Sequence, residues 1–385
     1  MTGVQTCALP ILEYGFLRLP KHHFDEVKLR WHRTESTWSA YARHVGRYRH
    51  RSLRHNSDIL NAFMGIVTAL YPGRNVYCGV PLSEIDLGLL WAPQPASSQE
   101  AQVSTVNAVL DPSIRLPSWT WASSASEIPN LHVEWDFRGS LCLWFRPVLN
   151  NASKFDLQPI IAASDAVTAF ARPHDRAHIP VALAILYGLI GVSQIKESVT
   201  WDELTFDELH TVLRSKWPAY PNFWIETFGR EEILSNARKE LAEVLDISLS
   251  AGMLVTSTQV AKINVTGEDS SLLTLLNEQE HVIGYVVENN GQVRNLLQLG
   301  YKAFDCMALS VSNLSPFSPM FKTSSETLPE NSFKDRDGNL LDPVPMVNII
   351  VLRREKGYYL RIGIGKVYLK RWIELGAPFE TVILA

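Results

Sequence analysis

The chain has 385 residues and a mass of 43.4 kDa, and its 36 basic and 40 acidic residues give a formal net charge of −4. With 46% hydrophobic residues it can bury about three quarters of its unfolded surface, which excludes disorder as its main state. The longest apolar run, Pro180 to Val192, is shorter than the ~20 residues of a membrane span, so we predict none. Four scattered cysteines without a Cys-x-x-Cys pair favour a reducing, cytoplasmic location.

Residues 1–11 resemble the translation of a sequencing-adapter oligonucleotide, so we interpret them as an artefact. The alternative is a short natural signal sequence, but Gln5 and Thr6 interrupt its apolar stretch and no basic residue precedes it. We interpret residues 12–33 as a linker that follows a missing N-terminal domain.

Residues 34–130 form a predicted helical and loop region. A helix is predicted from Thr34 to His50, because Trp38, Tyr41 and Tyr48 recur at helical spacing. This helix lies in a basic stretch, since residues 18–54 contain ten Lys or Arg residues and three acidic ones.

A second helix is predicted from Ser57 to Tyr71, where apolar residues form a broad stripe that Pro72 and Gly73 end. Gly65 in its middle is costly for a helix, which predicts a close packing contact at that position. Residues 75–118 contain five prolines and a polar stretch, so we predict a surface connection there.

Residues 131–385 form a predicted β-rich region. The segment from Leu131 to Phe145 predicts two strands around Arg138 and Gly139. Capping-box patterns and apolar spacing predict a helical insert at about residues 196–247. Further strands are predicted at 253–265, 281–288, 304–311, 346–353 and 358–369, with a hairpin turn before the last one at Lys356 and Gly357.

The predicted elements are segregated rather than alternating. This favours an α+β fold with N-terminal helices, a mainly antiparallel β-rich core and a helical insert.

Motifs of known catalytic chemistry are absent from the sequence. There is no Gly-x-Ser-x-Gly elbow, no phosphate-binding Gly-rich loop and no His-Glu-x-x-His. Gly363-Ile364-Gly365 resembles part of a dinucleotide loop, but a strand with small residues is the better interpretation. We therefore favour a non-catalytic chain and predict no cofactor and no metal. An enzyme with an unrecognised acidic site, built from residues such as Asp58 and Glu84, remains the alternative.

The basic helix allows a third hypothesis, a nucleic-acid-binding module acting through residues 34–54. We favour the interpretation that its arginines pair with the acidic remainder of the chain, which makes a nucleic-acid partner the weaker prediction.

Five residues are candidates for a structural or interaction role. Trp91, Trp119 and Trp121 are either core anchors, which we favour, or an exposed recognition surface. Trp119 and Trp121 would point to the same side of an extended segment. Arg51 and Asp58 could form an ion pair that joins the two N-terminal helices.

At these residues the chain resembles the C-terminal region of fungal heterokaryon incompatibility (HET domain) proteins. The family's N-terminal HET domain is not present, although the similarity covers nearly the whole chain beyond Trp31. The resemblance implies a role in fungal non-self recognition and cell death, here as a regulatory or interaction region with a protein partner. The matching segments are Trp38, Tyr48 with Arg51-Ser52-Leu53, Ser57 to Ile66, Gly79-Val80-Pro81, Leu90-Trp91, Arg115 to Ser123, and Arg361 to Gly365.

Overall fold

The computed structural model describes residues 37–49, 58–73, 75–93, 116–124, 137–142, 144–149, 155–160, 252–267, 272–313 and 344–385, with the single residues 235 and 239. The described helices are α1 (Thr37–Arg49), α2 (Ile59–Leu70), α3 (Ile85–Gly88), α4 (Gln292–Gln298) and α5 (Leu369–Leu375). The described strands are β1 (Val76–Tyr77), β2 (Val80–Pro81), β3 (Phe137–Ser140), β4 (Phe145–Leu149), β5 (Phe155–Pro159), β6 (Leu254–Thr266), β7 (Leu273–Leu276), β8 (Val282–Glu288), β9 (Ala303–Asn313), β10 (Pro345–Arg354), β11 (Tyr359–Tyr368) and β12 (Phe379–Leu384).

The two N-terminal helices occupy the segments that apolar spacing predicts. On α1, Trp38, Tyr41, Val45 and Tyr48 are buried along one face. On α2 the buried face follows the same three-to-four spacing, with Ile59, Phe63 and Val67 in the core. Because each helix is apolar on one side only, each needs a partner surface, and the two helices contact one another.

The close contact predicted at Gly65 is wrong. Gly65 is exposed, and a Cβ atom built on it would have no other heavy atom within 4 Å. The reason is angular, because two residues along a helix correspond to about 200° of rotation, which places Gly65 away from buried Phe63.

The loop predicted over residues 75–118 is also partly wrong. Its first part contains the β1–β2 hairpin, a 3₁₀ turn from Leu82 to Glu84, and α3. Cys78 and Gly79 form the two-residue hairpin turn with φ values of 49° and 84°, which is the geometry of a type I′ turn. A Cβ atom on Gly79 would lie 2.8 Å from a methyl carbon of Leu60, so the turn also needs glycine for close packing.

Six strands form a closed ring. β6 pairs with β9, β9 with β10, β10 with β11, β11 with β8, β8 with β7, and β7 pairs with β6 again, always antiparallel. β12 lies between β6 and β11, antiparallel to β6 and joined to β11 by one parallel pair. β3 adds to β9, and the β4–β5 hairpin joins β6. The predicted α+β class with a mainly antiparallel sheet is therefore confirmed.

The strands of the ring are strongly tilted. Val265 on β6 donates its amide directly to the Lys302 carbonyl, which lies just before β9. When the residue pairing is followed from Val265 the other way round the ring, through β7, β8, β11 and β10, it reaches β9 at Val311. Such an offset is what allows a sheet to close on itself. The closure brings β8 and β11 close together, and a Cβ atom on Gly365 would overlap the carbonyl oxygen of Tyr285. Gly363 and Gly365 thus lie in a strand, as predicted, and Gly365 serves close backbone approach.

The two faces of the ring have different surroundings. Ala261, Ile263 and Val265 of β6 belong to one buried apolar cluster, and Trp372 of α5 packs in it. The intervening side chains at the end of β6, such as Lys262, are exposed. A second cluster joins the other face of the ring to a set of segments that we call the N-terminal unit. The unit consists of α1, α2, the β1–β2 hairpin, residues 82–92 and residues 116–122. That contact positions the candidate site.

Two further predictions have opposite outcomes. The turn at Lys356 and Gly357 is confirmed, since β10 and β11 form a hairpin and the Glu355 amide donates to the Tyr358 carbonyl over 2.8 Å. A turn at Arg138 and Gly139 is wrong, because both residues lie within β3, whose partner is the distant β9. The predicted insert at 196–247 lies outside the described residues except for two helical positions, 235 and 239.

Candidate functional site

The candidate residues fall into two groups by position. Trp91, Trp119 and Trp121 are fully buried, each with 0% of its surface exposed, in the contact between the N-terminal unit and the ring. Buried indoles offer no exposed recognition surface, and this is the arrangement of core anchors. Asp58 immediately precedes α2, whereas Arg51 lies outside the described residues, so their ion pair remains a prediction.

Trp121 connects both helices to the β1–β2 turn. Its Nε1 donates to the Tyr41 hydroxyl over 2.9 Å, and that hydroxyl donates to the Gly79 carbonyl over 2.8 Å. The indole also meets Phe63 edge to face, with ring centroids 4.9 Å apart. Burial raises the pKa of the Tyr41 phenol, so it remains a proton donor in this chain of bonds.

Trp91 and Trp119 form a second chain of hydrogen bonds, which leads toward the ring. Trp91 Nε1 donates to the Trp119 carbonyl over 2.7 Å, and Trp119 Nε1 donates to the Gly252 carbonyl over 2.7 Å. Tyr77 stacks on Trp119 at 5.7 Å and donates to the Met253 carbonyl over 3.0 Å. These bonds attach the N-terminal unit to the chain that leads into β6.

Trp119 and Trp121 therefore serve different partners, although their spacing predicts a common side for an extended segment. The segment is not extended, because Trp121 begins a 3₁₀ turn. Thr120 fixes the change of direction, since its hydroxyl donates to the Cys78 carbonyl over 2.8 Å and accepts from the Ala122 amide.

Arg361 of β11 is the central residue that the site prediction missed. It is 1% exposed, and its Nη1 donates to the Leu89 carbonyl over 2.6 Å while Nη2 donates to the Trp91 carbonyl. Its guanidinium carbon lies 3.9 Å from the centroid of the Trp91 ring, a cation–π contact. The contacts of Arg361 in the described part of the chain are thus carbonyl oxygens and an aromatic face.

Burial lowers the pKa of Arg361 to about 9, because the charged form loses its hydration. The guanidinium still carries its charge near neutral pH. Its donors hold the segment from Leu89 to Trp91 against the ring.

Ser118 completes the contact of Trp91, Trp119, Trp121 and Arg361 between the N-terminal unit and the ring, which we call the junction. Its hydroxyl accepts from the Arg361 amide over 2.8 Å and donates to the Ala385 carbonyl, which also accepts from the Ser118 amide over 3.0 Å. One serine thereby joins the tryptophan segment to β11 and to the residue after β12.

A second buried polar contact links α3 to the sheet. The Asp86 carboxylate accepts from Trp144 Nε1 over 2.8 Å, and both side chains are buried. Cys142 lies close enough for this carboxylate to affect its thiol, whose pKa is raised first by burial and then by the charge of Asp86. Burial also raises the pKa of Cys78 to about 12, so neither thiol is activated as a nucleophile.

The basic helix α1 uses one of its arginines inside the molecule. Arg49 donates to the Ser124 carbonyl, and burial lowers its pKa. Arg47 is exposed on the same helix. One partner of Arg49 is thus a main-chain carbonyl oxygen, and the pairing of these arginines with acidic side chains stays a prediction.

A signal for Arg361 exists in the sequence. It is a charged residue in a strand of mostly apolar and glycine residues. What the sequence does not contain is the contact with Leu89 and Trp91, because the two segments are far apart along the chain.

The described residues include no group of three or more His, Cys, Asp or Glu side chains placed to hold a metal ion. None of the helices in the described ranges is long and apolar enough to cross a membrane. Comparison of the chain with protein-family models, with curated proteins and with solved structures finds no match.

Proposed function

We propose that this chain is a non-catalytic regulatory or interaction module of a fungal heterokaryon incompatibility-type protein, with a role in non-self recognition and cell death. The observation that supports the proposal is that residues from separate matching segments converge on one buried junction. Trp91, Trp119, Trp121 and Arg361 come from three such segments and are held together there.

The chemistry of the junction favours a mechanical role over a catalytic one. The three indole Nε1 atoms and the two Nη atoms of Arg361 donate to main-chain carbonyl oxygens or to a buried tyrosine, so these hydrogen bonds stabilise the fold. Such a junction couples the N-terminal unit to the ring, so that an event at one part can be sensed at the other. We expect a protein partner and a cytoplasmic location, and the three described cysteines, none of which is in a disulfide, are compatible with a reducing compartment.

The first experiment is to sequence the natural locus upstream of Leu12 and to express the gene, with any upstream coding sequence, under an inducible promoter in a fungal host. The host is then fused with partner strains, and the survival of fused hyphae is measured. Loss of viability in particular partner combinations supports the proposal. No effect in any combination would overturn it.

A matched pair of variants tests whether the junction carries the effect. Arg361→Met removes the buried guanidinium, whereas Arg353→Met removes a partly exposed one that pairs with Glu355 on the same sheet. Only the first substitution should abolish the viability effect at equal protein level.

The two alternative functions remain predictions. A hydrolase or transferase activity that disappears on substitution of Asp58 or Glu84 would favour the enzyme hypothesis. Salt-dependent binding of DNA or RNA that weakens on substitution of the exposed Arg47 would favour the nucleic-acid hypothesis.

A further inference from the structure

The turn between β8 and α4 contains the only Asn-Gly sequence in the chain. Asn290 and Gly291 have φ values of 53° and 69°, and the Gln292 amide donates to the Asn289 carbonyl over 3.1 Å, as in a type I′ turn. Asn290 is exposed, and a Cβ atom placed on Gly291 would meet no other heavy atom within 4 Å. The Asn290 side chain therefore lies at the surface, and no other heavy atom occupies the space beside the Cα of Gly291.

We propose that Asn290 is a site of spontaneous deamidation and that the modification loosens the attachment of α4 to the ring. The main-chain nitrogen of Gly291 attacks Cγ of Asn290, a new C–N bond forms, and the bond from Cγ to Nδ2 breaks. Ammonia leaves with the proton of the Gly291 amide, and a five-membered succinimide remains. Water then opens either carbonyl of the ring, which yields aspartate or isoaspartate.

The nucleophile of this reaction is accessible. Glycine places no side chain beside its nitrogen, and among the described residues the Gly291 amide donates no main-chain hydrogen bond. Asparagine is also one of the chemically labile residue types. These features distinguish Asn290 from Asn295, which is also exposed but lies within α4 and is followed by Leu296.

The reaction requires the turn to leave its left-handed conformation, so that the Gly291 nitrogen can approach Cγ. In the described main chain a single hydrogen bond, from Gln292 to Asn289, spans these two residues. Opening an exposed turn of this kind is a local event that leaves the ring intact.

The product acts on the contacts that hold α4. Val293 of α4 is fully buried in the apolar cluster that also contains Trp372. The Glu288 carboxylate binds both the amide and the side chain of Arg294, the latter over 3.0 Å. Isoaspartate extends the main chain by one atom between Glu288 and Val293, which displaces one anchor relative to the other. Aspartate adds only a negative charge beside Glu288.

The test ages the purified full chain in mildly alkaline buffer made with heavy-oxygen water, followed by proteolysis and mass spectrometry. We expect oxygen-labelled aspartate and isoaspartate at residue 290, formed faster than any conversion at Asn295. Conversion at residue 290 no faster than at Asn295, or conversion only after unfolding in denaturant, would overturn the proposal.

Three proteins then separate the effects of the modification on structure. Aged wild type should melt at a lower temperature than fresh wild type, whereas aged Asn290→Gln should not change, because glutamine cyclises far more slowly. Asn290→Asp isolates the added charge and should melt close to fresh wild type. An unchanged melting temperature in aged, fully converted wild type would refute the effect on α4.

Discussion

Removal of the Arg361 guanidinium is the most direct test of the junction. Arg361→Met keeps an apolar side chain of similar length but leaves the buried carbonyls of Leu89 and Trp91 without these donors. Each hydrogen bond from a charged donor is worth about 1.5–3 kcal/mol, and a desolvated cation–π contact adds about 2 kcal/mol. Relief of the cost of burying a charge offsets part of this loss, since that cost is on the order of several kcal/mol.

The two carbonyl groups that lose their donors decide whether Arg361→Met raises or lowers the free energy of unfolding. Methionine supplies no donor, and Leu89 and Trp91 are both 0% exposed, so water has no ready access to their carbonyl oxygens. We expect the free energy of unfolding to fall by about 2–4 kcal/mol. Arg361→Lys should recover only part of this loss, because an ammonium does not reproduce the fork that reaches two carbonyls at once.

The assay is equilibrium unfolding of the whole chain in urea, followed by tryptophan fluorescence, with the midpoint and slope fitted together. The control is Arg353→Met, which removes an arginine whose side chain is 40% exposed and should cost less than about 1 kcal/mol. If Arg361→Met unfolds at the same urea concentration as wild type, the guanidinium does not hold the N-terminal unit on the ring.

Three further predictions use other parts of the structure. Gly365→Ala should prevent stable folding, because its methyl group would overlap a neighbouring main-chain oxygen. Gly65→Ala should instead stabilise the protein by about 0.5–1 kcal/mol, because Gly65 lies on an exposed helix face. Thermal melts in which Gly365→Ala had the higher melting temperature would contradict both expectations. Burial raises the pKa of Tyr41 above its ordinary 10.0, so the contribution of Tyr41 to the free energy of unfolding is present below pH 10 and is lost as the pH rises further. In urea melts across this pH range, the free energy of unfolding should fall more steeply in wild type than in Tyr41→Phe. Buried Cys142 should react with a thiol reagent only on unfolding, whereas partly exposed Cys78 should react earlier despite its raised pKa. Peptide mapping after brief labelling checks this, and labelling of Cys142 before Cys78 would contradict it.

The elements that the sequence predicts are those whose pattern is local and long enough to detect. The apolar stripe of α2 and the strands before and after Lys356 each contain their own periodicity, and the structure has them where they are predicted. The β1–β2 hairpin and α3 were missed because they are two to four residues long, shorter than any periodic window. For the β1–β2 hairpin, the signal in the sequence is Gly79, because glycine is typical of a tight turn.

Closure of the ring and the composition of the junction depend on contacts between distant segments. No local pattern indicates that β6 pairs with both β7 and β9, or that Arg361 meets the carbonyl of Trp91. The tryptophan spacing suggested a common side for Trp119 and Trp121, but the Thr120 side chain turns the backbone between them. Burial of these indoles follows from their size, whereas the carbonyl that each one binds follows only from the fold.

The polar character of the junction gives it a property that an apolar contact of equal area would lack. Apolar side chains tolerate small displacements, because the hydrophobic effect has no direction. The donors of Trp119 and Arg361 instead meet individual carbonyl oxygens, and a slip of one residue in the segment that contains Leu89 would leave buried polar groups unsatisfied. The N-terminal unit is therefore held on the ring in one register, and its release would break several of these bonds together.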